Sequence, residues 1–82
     1  MNKYQLMARI KYDTLWNSRG MLLMVFPELA SHFKQKVNTG CRRCKKKRLA
    51  RSILMKMIDL APGRNLAPLE GKLPKSFLEA IK

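Results

Sequence analysis

Cys41-Arg42-Arg43-Cys44-Lys45-Lys46-Lys47-Arg48-Leu49-Ala50-Arg51 is the stretch with the most chemistry per residue in this chain of 82. Two thiols three residues apart stand against the densest positive charge in the sequence. Seven of the ten residues from Arg42 to Arg51 are Lys or Arg, and none is acidic. Such a run attracts a polyanion, and it favours the thiolate form of any cysteine beside it. Arg42, Arg43, Lys45, Lys46, Lys47, Arg48 and Arg51 are therefore the candidate phosphate ligands. Arg supplies planar paired donors and Lys a mobile point charge.

The thiols admit three states. CxxC is half of a tetrahedral zinc site, and a closed structural site needs four ligands. No second CxxC exists, and His32 is the only histidine. Cys41, Cys44 and His32 would make three ligands, with the fourth from Asp, water or another chain. Two copies could also pool four thiolates around zinc. CxxC at a helix start is equally the arrangement of a reversible disulfide, although the βαβ context of thioredoxin-like sites is missing. The third state is a pair of free thiols with no special chemistry.

Other chemistry is sparse. The five carboxylates, Asp13, Glu28, Asp59, Glu70 and Glu79, are scattered singly. There is no Ser/His/Asp set, paired carboxylate or Gly-rich phosphate loop, so a non-enzymatic protein is expected. Asn and Gln are absent from residues 41–60, and so are aromatics. Direct base readout and base stacking are thus unsupported within that segment. The expectation is backbone-dominated binding to duplex or structured nucleic acid with little sequence preference. The alternative is a protein-interaction module. Its basic end would dock on an acidic partner surface, as a regulator, an inhibitor or a subunit of a large assembly. Residues Met21–Phe26 would form the centre of that interface. A homo-oligomer fits either reading.

Charge placement supports a localised anion site. The net charge is +13, from 18 basic and 5 acidic residues. Residues 1–40 carry six basic and two acidic groups, residues 41–60 eight and one, and residues 61–82 four and two. More than half of the net charge thus falls in about a quarter of the chain. Self-repulsion on this scale opposes compaction unless a counter-charge is supplied. An apolar fraction of 46% still argues for a folded core. The composition is similar to that of ribosomal proteins, virion components and phage-encoded regulators, a likeness of class that transfers no site.

The longest apolar run, Met21–Phe26, is six residues, where a membrane span needs roughly 20. No apolar targeting segment follows Met1. These features point to a cytoplasmic chain, free or associated with nucleoid, ribosome or virion.

The elements that position the basic segment are helical. Length favours one domain. The expected fold is all-α, a bundle of three to four helices with the CxxC loop at the start of the longest. Residues 1–61 form its core and 62–82 an irregular Pro/Gly loop plus a short C-terminal helix on the same domain. Residues 3–17 show both a strand-like period of two and a helical stripe through Tyr4, Met7, Ala8, Tyr12 and Leu15. A lone strand cannot satisfy its backbone, which favours helix.

Asn17–Gly20 reads as a turn, with Ser18 capping a short helix that Pro27 ends. Pro27 and Glu28 suit the start of the next helix, which carries Leu29, Ala30, Phe33 and Val37 and stops at Asn38-Thr39-Gly40. Leu49, Ala50, Ile53, Leu54, Met57, Ile58 and Ala61 predict a helix over 42–60. Leu66 and Leu69 are expected to anchor the loop, and Ser76 to cap the last helix. Tyr12 and Trp16 are the expected core aromatics, and the methionines are expected to fill an irregular core.

Overall fold

The computed structural model describes residues 1–35 and 40–82. Its elements are α1 (Lys3–Met7), α2 (Tyr12–Asn17), α3 (Arg19–Val25), α4 (Ala30–Lys34), α5 (Arg42–Leu60) and α6 (Lys75–Ile81). Two short 3-10 turns, Pro27–Leu29 and Ala67–Leu69, complete the order. No β-strand occurs among the described residues, so the all-α class holds. The count of three to four helices is not confirmed: the described residues form six α-helices, and the expected helix over 3–17 is divided in two.

The first break divides residues 3–17. Asn2 opens α1 with a reciprocal cap: its side chain accepts from the Gln5 N–H, and Gln5 accepts from the Asn2 N–H, both at 2.9 Å. The helix closes in tight i→i+3 turns, from Arg9 N–H to Leu6 and from Ile10 N–H to Met7. Lys11 is then extended, and α2 begins anew at Tyr12. The break lets Met7, Ile10 and Leu15 all reach the core, which a strand with its alternating faces would not allow.

The second break is at Ser18, a kink of one residue rather than a turn of four. Its N–H bonds back to Thr14 and Leu15, and its carbonyl accepts the Leu22 N–H. Its side chain makes no capping bond, and Gly20 lies inside α3. After Pro27 the chain makes a 3-10 turn before α4. Val37, Asn38 and Thr39, expected to finish that helix, lie outside the described residues.

The long helix α5 runs over the range its periodicity predicts. Ala50, Ile53, Leu54, Met57 and Ile58 form its buried face. Helices α2 and α4 pack on it, α1 on α6, and α3 on the Ala67–Leu69 turn. Leu66, Leu69, Leu73, Phe77, Leu78 and Ile81 join the same core, with Leu69 and Phe77 wholly sealed. Helix α6 follows Pro74 directly, and Ser76 sits within its first turn instead of capping it. Arg64 fastens the loop before it. Its guanidinium donates to the Val25 carbonyl at 3.1 Å and to Glu28 at 2.9 Å, and it lies over the Phe26 ring.

Two core expectations are corrected. The buried aromatics are Phe26 and Phe77; Trp16 is 42% exposed and Tyr12 half-buried. Only Met7 and Met57 are buried, whereas Met1, Met21, Met24 and Met55 are exposed. The short α2 explains the exposure of its aromatics. A five- or six-residue helix buries one or two side chains, and Leu15 already fills that place on α2.

Candidate functional site

The basic run forms the first turns of α5, and its cations divide by helical geometry. Arg42 and Lys46 form one i, i+4 row, and Arg43, Lys47 and Arg51 form the row beside it. These rows border an open groove of about 1170 Å³. Lys45 and Arg48, also assigned as phosphate ligands from the sequence, do not line it.

The opposite wall is the joint between α1 and α2, residues 8–13, with Tyr4 beside it. The break at Arg9–Lys11 that brings Ile10 into the core turns its two basic neighbours outward, both exposed. Buried Met7, Ile10, Ala50 and Leu54 form an apolar base. Seven cations thus converge on one groove: Arg9 and Lys11 from one segment, five from α5. They face a single carboxylate, Asp13.

Asp13 holds Lys46 at 3.1 Å and ties the start of α2 to α5. Among the described residues, none of the other six groove cations is in an ion pair. The N-terminus of α5 adds its own partial positive charge at the same end. Clustered cations destabilise an unbound helix start and strengthen an anion site there.

Arg9, Lys11, Tyr4 and Tyr12 are groove residues that sequence reasoning missed. Arg9 and Lys11 are the polar positions of an alternating segment, and nothing local shows that they face residues 42–51. The tyrosines also alter the reading of residues 41–60 as lacking aromatics. Tyr4, 48% exposed, and Tyr12 are supplied from elsewhere in the chain. Tyr12 continues into an aromatic row with Trp16 and Phe33, ring centroids 6.2 Å apart at each step. Arg19 lies 4.1 Å over the Trp16 ring.

The thiols sit at the mouth of α5. Cys41 is its N-cap, and its Sγ accepts from the Cys44 N–H at 3.3 Å. The two sulfurs share a hydrogen bond at 3.0 Å, and both side chains are exposed. That bond first, and the Cys44 N–H second, hold the Cys41 thiol below the usual cysteine value. His32 is placed differently: its Nδ1 lies 3.2 Å from Ser52 Oγ on α5. Among the described residues, no group of three or more His, Cys, Asp or Glu side chains is gathered as a metal would require. Cys41, Cys44 and His32, the candidate ligand trio, are thus not gathered together among the described residues.

No protein-family model, curated protein or solved structure matches this chain.

Proposed function

We propose that this is a small non-enzymatic nucleic-acid-binding protein that holds a phosphate backbone in the groove between the α1–α2 joint and α5. One observation carries the reading: two segments more than thirty residues apart bring seven cations to one groove with one carboxylate. A solvated basic face kept for solubility has no need to recruit Arg9 and Lys11 across a groove. Phosphate contacts position a nucleic acid without reading its bases, so weak sequence preference follows.

The test is a fluorescence-anisotropy titration of labelled duplex across a salt series. With six phosphates neutralised, the logarithm of affinity should fall against the logarithm of salt with a slope near −5. A slope near zero, or no binding at low salt, refutes the reading. The exposed Tyr4 adds a single-strand arm. If bases stack on it, Tyr4→Ala weakens single-strand binding by about 1–3 kcal/mol and leaves duplex binding unchanged.

Docking of the basic end on an acidic protein is the second reading. It is favoured by Met21 and Met24, 38% and 63% exposed on α3. Leu22 and Phe26 are committed to the core, so the Met21–Phe26 stretch offers less interface than its composition suggests. A stoichiometric partner that stays bound after nuclease treatment would favour this reading over the first. Attachment to a membrane surface through α5 has little to recommend it, because the apolar face of that helix is buried. No helix among the described residues is long and apolar enough to cross a membrane.

A further inference from the structure

The cysteine pair is not needed for phosphate binding, and its geometry is that of a reactive dithiol. The sulfurs are 3.0 Å apart and exposed, joined by a hydrogen bond. Cys41 Sγ also accepts a backbone N–H at the start of a 19-residue helix. Once Cys41 is deprotonated the Cys44 S–H becomes the donor, so a Cys41 thiolate accepts both bonds at the positive end of the helix. Gly40 keeps the approach open. Its φ is +91°, so a side chain there would be strained, although a Cβ would meet Cys44 Cβ only in ordinary contact at 3.5 Å. No third donor completes a metal site among the described residues.

We propose that Cys41 and Cys44 form a thiol–disulfide exchange site whose substrate class is a small anionic disulfide such as glutathione disulfide. The Cys41 thiolate attacks one substrate sulfur. A Cys41–substrate disulfide forms, the substrate S–S bond breaks, and one substrate thiolate leaves. Cys44 loses its proton and attacks Cys41 Sγ. The Cys41–Cys44 disulfide forms, and the second substrate thiolate leaves. Each leaving thiolate takes up a proton. The cysteine pair is oxidised by two electrons, and the substrate is reduced to two thiols. Arg42 and Arg43, between the two cysteines, attract the substrate's carboxylates. This site shares Arg42 and Arg43 with the groove, but its thiol chemistry needs no nucleic acid and stands if the groove reading fails.

The experiment mixes reduced full-length protein with glutathione disulfide at neutral pH, quenches in acid at intervals, and reads masses. The native protein should lose the mass of two hydrogens without accumulating an adduct. Cys44→Ser should stop at one glutathione on Cys41. Cys41→Ser should react more slowly than Cys44→Ser by about threefold, because the larger thiolate fraction of a CxxC nucleophile outweighs its lower nucleophilicity. Both positions are exposed, and far-UV circular dichroism confirms that the variants fold. The proposal is overturned if the native protein reacts no faster than the guanidinium-unfolded chain, or if the two variants react equally. It is also overturned if the purified protein holds half an equivalent of zinc that blocks reaction until chelated, the mark of two copies pooling their thiolates.

Discussion

Groove binding and non-specific attraction to a +13 chain make different predictions, and charge-matched variants separate them. The first variant carries Arg43→Gln, Lys47→Gln and Arg51→Gln, all groove residues. The second carries Lys45→Gln, Lys72→Gln and Lys75→Gln, none of which lines the groove. Both lose three positive charges. If Lys46 stays with Asp13, six groove cations remain for phosphate in the native protein. At a slope of about −0.9 per contact, raising salt from about 50 to about 200 mM then costs the native protein roughly 10³ in affinity on duplex DNA. The groove variant keeps three contacts, its slope falls to about −2.7, and the same salt step costs only about 40-fold. The second variant should keep a slope near −5. Anisotropy titrations at four or more salt concentrations read all three slopes. Equal slopes for the two variants would show that net charge, not the groove, binds the polyanion. That result would refute the reasoning.

Asp13→Asn releases Lys46 to the groove and should steepen the duplex salt slope by about 0.9, at a stability loss of roughly 0–1 kcal/mol for an exposed ion pair. The Glu28–Arg64 pair predicts an acid-sensitive component of stability. The hydrogen bond from Arg64 lowers the Glu28 pKa from 4.5 to about 2. A lowered folded-state pKa stabilises the fold above pH 4.5, and that contribution is lost as pH falls toward 2. Denaturant midpoints of the native protein and Glu28→Gln should therefore differ near neutrality and converge as pH falls through this window. Gly20 lies in α3 with nothing within 4 Å of a built Cβ. Gly20→Ala should stabilise the protein by about 0.4–1 kcal/mol in urea unfolding. Phe77→Ala removes a sealed ring from the core and should cost about 3–5 kcal/mol, a large share of the stability of a domain this small.

Sequence alone determined the all-α class, the span of α5 and the place of greatest charge. These are local or periodic properties. A stripe at 3.6-residue spacing from Leu49 to Ala61 admits one element, and seven cations in ten positions are basic in any fold. The CxxC placed both sulfurs at a helix start because three residues there make one turn. Leu66 and Leu69 were legible as anchors because apolar residues in a Pro/Gly-rich loop have only the core to bury in.

Tertiary structure alone decided where the chain breaks and what meets across space. Residues 3–17 carry two competing periodicities, and the break after Ala8 satisfies the core at the expense of both. That break turns Arg9 and Lys11 toward α5 and creates a groove. His32 illustrates the same limit in reverse: a nine-residue separation from Cys41 allowed a shared metal, but the packing of α4 on α5 sets its ring against Ser52. Spacing along the chain constrains what one element can gather. Which residues of different elements converge is set by how their buried faces pack, and that depends on the whole core at once.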